Sequence, residues 1–176
     1  MDEMAVERSI TRLCHEILEH NQAPQEIVLI GIHNRGVPLA ARIKQKINEF
    51  IGIDLDQGSL DITFHRDDFR KRLLVPEIKG TDITFSLDGK VVILVDDVLY
   101  SGRTVRAALD ELNSFGRPAK VQLAVLVDRG HRELPIKADF IGKNIPTHEG
   151  EHVSVNLEEL DDQDAVYLIN NNYAGT

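Results

Sequence analysis

The segment that most constrains the fold is VVILVDDVLYSGRTVRAALDEL, residues 91–112. Val91, Val92, Ile93, Leu94 and Val95 form an unbroken apolar run, mostly β-branched, with no polar alternation. Such a run has no face to give to water, so it predicts a strand buried on both sides in a parallel sheet. The run ends in two carboxylates, Asp96 and Asp97, and a Ser101-Gly102-Arg103-Thr104 turn follows. Val105, Ala108, Leu109 and Leu112 then recur at helical spacing. The reading is a strand over 91–95, a loop at its carboxyl end and a helix over 103–115 whose N-terminus faces that loop, the place where open α/β sheets bind ligands. Free N–H groups at a helix start, a glycine that admits an anion and the hydroxyls of Ser101 and Thr104 make a phosphate cradle. Two carboxylates beside a phosphate would repel it. They are better placed against hydroxyl groups or a hydrated metal ion, and the combination suggests a sugar phosphate. Neither Gly-x-x-x-x-Gly-Lys-[Ser/Thr] nor Gly-x-Gly-x-x-Gly occurs in the chain.

The remaining pattern extends this unit to an α/β fold. Ile10, Leu13, Cys14, Ile17 and Leu18 mark one face of a helix over 3–20. A short buried strand is expected over 27–32, a helix over 36–50 with Leu39, Ala40, Ile43 and Ile47 inward, and a strand with one polar face over 58–65. The charged stretch from Arg66 to Gly80 shows no strong period and reads as a mobile loop. A strand over 121–127 completes a βαβαβ series, which implies a parallel sheet with helices on both faces. Val153, Val155 and Leu157, and then Val166 to Ile169, predict two further strands. Between them the run Glu158-Glu159-Leu160-Asp161-Asp162-Gln163-Asp164 reads as a solvated turn. No repeat or Pro/Gly/Ser linker interrupts the series, so one domain is expected over 1–176.

Composition narrows the function classes. With 20 Lys and Arg against 29 Asp and Glu the net charge is −9, so a global field cannot attract nucleic acid and any RNA binding needs a local basic patch. A single cysteine, Cys14, forms no intramolecular disulfide and reads as a small buried helix residue in a reducing compartment. No apolar run approaches the length of a membrane span and Met1-Asp2-Glu3 lacks the shape of a signal peptide, so the expectation is a cytoplasmic protein without membrane contact.

Asp96-Asp97 followed by Ser101-Gly102-Arg103-Thr104 resembles the phosphoribosyl-pyrophosphate (PRPP) motif of type I phosphoribosyltransferases. Nearly the whole chain is similar to a narrower group, the pyrimidine-operon attenuation regulators (the PyrR family), which also have uracil phosphoribosyltransferase activity. The residues that carry this likeness are the stretch from Val127 to Thr147 (VDRGHRELPIKADFIGKNIPT), Thr11 to Ile17, Leu60-Asp61-Ile62-Thr63 and His65-Arg66-Asp67-Asp68.

The resemblance implies a type I phosphoribosyltransferase fold, a parallel sheet flanked by helices with a small C-terminal β hood. It also implies a reaction in which uracil and PRPP give UMP and pyrophosphate, with Mg²⁺ carried by PRPP and no direct protein ligand assigned to it. Asp96 and Asp97 become the catalytic pair, facing the ribose hydroxyls directly or through metal-bound water. Ser101, Gly102, Arg103 and Thr104 hold the 5′-phosphate. Asn34 and Arg35, in the turn His33-Asn34-Arg35-Gly36 after an earlier strand, suit pyrophosphate, because a guanidinium and helix-start N–H groups converge there on one anion. That turn also reads as an ordinary strand-to-helix connection. Arg66 and Arg70 join on closure of the charged loop, which otherwise reads as a solvated face. Arg129 holds substrate on the base side. For RNA, the resemblance points to Thr11, Arg12 and His15 on the first helix and to Arg132, Lys137 and Lys143 in and after a third loop, Asp128 to Pro135, at the end of strand 121–127. His20 stands where relatives can carry an arginine. A homodimer or higher homo-oligomer would join two such patches, and UMP-dependent binding of a pyrimidine-operon leader mRNA would control transcription by attenuation. Other readings stay open at this level: an enzyme without RNA binding, a nucleotide-sensing regulator with little turnover, and a purine phosphoribosyltransferase.

Overall fold

The computed structural model describes residues 1–63 and 80–170. Eleven elements matter for the site: α1 (Glu3–His20), β1 (Ile27–Ile32), α2 (Gly36–Ile51), β2 (Asp56–Leu60), β3 (Val91–Leu99), α3 (Arg103–Leu112), β4 (Lys120–Asp128), β5 (Phe140–Asn144), β6 (Glu151–Asn156), α4 (Glu158–Asp161) and β7 (Ala165–Asn170). The first five strands form one parallel sheet in the order β2-β1-β3-β4-β5, with β3 at its centre. The uninterrupted apolar run therefore occupies the position where both faces are covered, as its composition requires.

Two clusters of buried side chains lie on opposite faces of the sheet. Ile10, Ile17, Leu39, Ile43 and Ile47 of α1 and α2 pack on Leu29, Ile93, Val95, Leu126 and Phe140. Val105, Ala108 and Leu112 of α3 pack on Val28, Ile30, Leu94 and Val125. Each such large side chain contributes about 1.5–3 kcal/mol by leaving water, and the alternation along β1 and β3 sends neighbouring residues to opposite clusters. Asp2 caps α1 by accepting the Ala5 N–H at 2.8 Å. Cys14 is buried between α1 and the core, and that burial pushes its thiol up to about 12, so it is a packing residue and not a nucleophile. No helix among the described residues is long and apolar enough to cross a membrane.

Several boundaries differ from the sequence-based expectation. β3 continues through the acid pair to Leu99, because its ladder with β4 runs on from Asp96↔Val125 to Leu99↔Asp128; the carboxylates sit on the strand, not in the loop after it. α3 ends at Leu112 and not at 115. The second strand spans 56–60 and not 58–65, pairing Val28↔Asp56 through Ile32↔Leu60; the end of the expected strand from 64 onward, and most of the charged loop, lie outside the described residues. β5 was absent from the expected series. It is an edge strand paired with β4 alone, and an edge needs only one buried face, so Phe140-Ile141-Gly142-Lys143-Asn144 carries little apolar signal. The two C-terminal strands form an antiparallel hairpin, Glu151↔Asn170 through Asn156↔Ala165. Its Val155, Leu157 and Val166 join the core cluster of α1 and α2, and this hairpin with α4 is the hood.

Candidate active site

Two strand ends meet because of glycine. At Gly36, the first residue of α2, a Cβ would lie 2.3 Å from the Val95 carbonyl oxygen, and at Gly31 it would lie 2.6 Å from the Gly36 carbonyl oxygen. Only hydrogen fits at either place. The 33–36 turn is thereby pressed onto β3 at the residue before the acid pair, and its entry is held by the His33 N–H donating to the Leu60 carbonyl at 3.0 Å. The His33–Asn34 peptide is cis.

Asp96 is 7% exposed and its Oδ1 accepts the Asp97 N–H at 2.9 Å; Asp97 Oδ1 accepts the Val98 N–H at 2.8 Å. Among the described residues no group of three or more His, Cys, Asp or Glu side chains could hold a metal ion. Two adjacent carboxylates suit a divalent cation that arrives with most of its oxygen ligands already supplied by a phosphorylated sugar, the usual preference of Mg²⁺.

The turn expected to hold the 5′-phosphate follows directly. Gly102 is the N-cap of α3 with φ +91°, its carbonyl accepts the Arg106 N–H at 3.0 Å, and Ser101 Oγ accepts the Arg103 N–H at 3.3 Å. The third loop, 129–136, lies on this turn. Glu133 and Leu134 donate their N–H groups to the Ser101 carbonyl at 3.0 and 3.1 Å, and Glu133 accepts from Arg103 Nε at 2.6 Å. A side chain at 102 would meet Ile136 at 3.2 Å. Thr104 is half-buried in the first turn of α3. The loop expected at the base and the turn expected at the 5′-phosphate are thus one hydrogen-bonded unit.

Arg129 and Arg132 hold that unit together. The Arg129 guanidinium lies 4.0 Å above the Tyr100 ring, donates from Nη2 to the Glu151 carbonyl at 2.7 Å and from Nε to Thr147 Oγ1 at 3.3 Å. His131 Nε2 lies 2.5 Å from the Thr147 carbonyl oxygen. Arg132 donates to the Ile136 and Tyr100 carbonyls, each at 2.9 Å, and to Asp128 Oδ2 at 2.5 Å. Arg129 therefore ties the third loop to the start of the hood, and Arg132 ties it to the end of β4 and to the residue after β3.

On the opposite side of the site, Arg35 Nη2 donates to Asp161 Oδ1 and Oδ2 at 2.7 and 3.0 Å, while Arg42 takes both oxygens of Glu159 and both of Asp164 at 2.5–2.8 Å. The acidic run expected as a solvated turn does connect the two hood strands, but it is the hood's anchor. Hydrogen bonds from Arg42 are the largest influence holding the Glu159 and Asp164 carboxyls below their ordinary range. Asp161 is lowered first by the Leu157 N–H and then by Arg35. Nothing in the run itself distinguishes these acids from solvated ones; the available signal was Arg42, one turn and a half into a helix with an apolar inner face.

Of the remaining candidates, Asn34 is exposed and Arg66 and Arg70 lie outside the described residues. Thr11 is half-buried, and Lys137 and Lys143 are exposed. His15 stacks on Phe50 with ring centroids 4.6 Å apart. Arg12 donates to the Gly142 carbonyl of β5, so its side chain lies across the edge of the sheet. A groove between α1 and β5 is lined by Arg8, Ser9, Arg12, Lys143 and Asn144. Arg8 was not among the sequence candidates, though its spacing of four residues from Arg12 places both on one helix face.

Fold and site together define the class: the model of the family described as phosphoribosyl transferase domain matches residues 1–160. The chain is 55% identical over 168 residues to the bifunctional protein PyrR of Clostridioides difficile, covering 96% of this chain and 95% of that protein. It is 55% identical over 163 residues to that of Deinococcus deserti (93% and 89%) and 50% identical over 175 residues to that of Listeria monocytogenes (98% and 96%). The chain belongs to the PyrR family of phosphoribosyl transferases. Solved structures share the fold at greater distance. A hypoxanthine-guanine phosphoribosyltransferase from Bacillus anthracis aligns with a TM-score of 0.65 at 21% identity, covering 87% of this chain and 83% of that one. The hypoxanthine phosphoribosyltransferase of Trypanosoma cruzi, in complex with the product IMP, aligns with a TM-score of 0.65 at 19% identity, covering 83% and 74%.

Proposed function

We propose that this protein, one domain over its 176 residues, transfers the 5-phosphoribosyl group of PRPP to uracil, forming UMP and pyrophosphate. The observation that carries the reading is the convergence of three elements on one strand end: the Asp96-Asp97 pair, the Gly102 phosphate turn and the Arg35 turn pressed against Val95 by Gly36. Breaking the bond from C1 to pyrophosphate places positive charge on the ribose and negative charge on the leaving group, so the work of the protein is positioning and electrostatics. Asp96 and Asp97 face the ribose hydroxyls and the developing ring cation. Ser101, the N–H groups at the start of α3 and Thr104 hold the 5′-phosphate, and Arg35 with Asn34 receives pyrophosphate; Arg66 and Arg70, outside the described residues, are assigned to the same anion. Arg129 shapes the base side by fixing Tyr100 and the hood. Mg²⁺ bound with PRPP neutralises pyrophosphate charge. The test is a PRPP-dependent assay with uracil, hypoxanthine, guanine and adenine in parallel. UMP and pyrophosphate are the expected products, and turnover of a purine without turnover of uracil overturns the assignment.

The groove of Arg8, Arg12 and Lys143 supports a second activity, UMP-dependent binding of a pyrimidine-operon leader mRNA that attenuates transcription, carried out in the cytoplasm by a homo-oligomer that pairs two grooves. Clustered cations on a chain of net charge −9 are what phosphate binding needs, and the relatives' name, bifunctional, accords with two activities. A gel-shift titration against leader RNA with and without UMP tests it.

A further inference from the structure

Asp161 brings the hood to the pyrophosphate side of the site. Asp161, the last residue of α4, grips a single nitrogen of Arg35, Nη2, at 2.7 and 3.0 Å, and its Oδ2 also accepts the Leu157 N–H at 3.0 Å. The carboxylate is therefore fixed by backbone before it meets the guanidinium. Arg35 in turn is half-buried, with its Nε enclosed and without a hydrogen-bond partner among the described residues. A guanidinium held by one nitrogen keeps its Nη1 donors available for a second anion. A free arginine must give up the mobility of a long side chain when it binds, and a tethered one has already done so.

We propose that Asp161 is a positioning residue for PRPP: it pre-orients Arg35 so that the hood, far away in the chain, sets the affinity of the pyrophosphate end of the substrate. The inference rests on the phosphoribosyltransferase reading above. It does not depend on Asp161 holding the hood in place, because Arg42 anchors α4 independently through Glu159 and Asp164. Asp161→Asn is the suitable variant, since the amide oxygen still accepts the Leu157 N–H while the charge that grips Arg35 is gone.

Steady-state kinetics on the whole protein separate positioning from a merely structural role. Asp161→Asn is expected to raise KM for PRPP about three- to tenfold, the effect of freeing one rotamer-rich side chain, with kcat and KM for uracil within about twofold. In an Arg35→Gln background the same substitution is expected to add nothing to KM for PRPP, because the residue it positions is gone. Three results overturn the inference. They are an unchanged KM for PRPP, equal rises in both KM values, as a loosened hood would give, and a fall in KM for PRPP, which would mean that Asp161 withholds Arg35. Wild-type protein that forms no UMP from PRPP and uracil overturns the underlying reading and this inference with it, whereas an active wild type with an unaltered Asp161→Asn variant overturns the inference alone.

Discussion

At the scale of the residue, charge and the absence of a side chain divide the work. Asp96 and Asp97 present two carboxylates in the carboxyl-terminal half of β3, Asp96 nearly buried and each accepting the N–H of the residue after it. Replacing both by Asn keeps their shape, so circular dichroism and melting temperature should stay near wild type while turnover falls by at least about two orders of magnitude, the scale of a lost electrostatic partner. A folded double variant with normal turnover would make the pair a structural part of β3 and no more. Gly36 does the opposite kind of work. Its hydrogen lets α2 sit on Val95, and Gly36→Ala places a methyl 2.3 Å from a carbonyl oxygen. The expected cost is about 1–3 kcal/mol of stability, visible as a lower denaturant midpoint, together with weaker PRPP binding as the Arg35 turn lifts away. The acid pair and the glycine were both legible from residue type. The partners of Arg129 and Arg132 were not, since a loop arginine bonded to carbonyls reads in sequence like one left in water.

At the scale of the element, the hood is a two-stranded hairpin that would be marginal alone and is held by α2 through ion pairs. Glu159 and Asp164 have carboxyls held below their ordinary range by Arg42. A depressed carboxyl contributes stability that is complete above its unfolded value and is lost as pH falls through the folded one. Stability should therefore hold from neutral pH to about pH 5 and decline below it. In Arg42→Met the same decline should be shallower, so the difference in melting temperature between wild type and variant narrows as pH drops. A constant difference from pH 7 to pH 3 would assign Arg42 a packing role only. Helices and central strands were predicted well because their buried faces repeat every turn or every second residue. β5 and the displacement of β2 were missed because edge strands bury one face over few residues, and there the ladder partner decides the boundary.

At the scale of the whole molecule, the net charge of −9 works against RNA binding, so the proposed second activity needs the local groove. Lys143→Ala or Arg8→Ala should weaken leader RNA binding and reduce the salt slope by about 0.7–0.9 for each phosphate contact removed, with uracil phosphoribosyltransfer intact. UMP should strengthen binding if the nucleotide pocket biases the RNA-competent state. Arg132→Ala is expected to impair both activities together, because its guanidinium supports the loop that packs on the phosphate turn. What the sequence by itself determined is the part encoded by neighbours along the chain. The buried strand, the acid pair and the phosphate turn fall within 91–104, and their order follows from backbone geometry and hydrophobic period. What only the tertiary structure decided is which charges meet. Arg35 and Asp161 are 126 residues apart, and Arg42 lies 117 and 122 residues from Glu159 and Asp164. Side-chain charges are interchangeable in sequence; the return of the hood across α2 selects among them, because an ion pair has strength only at contact distance.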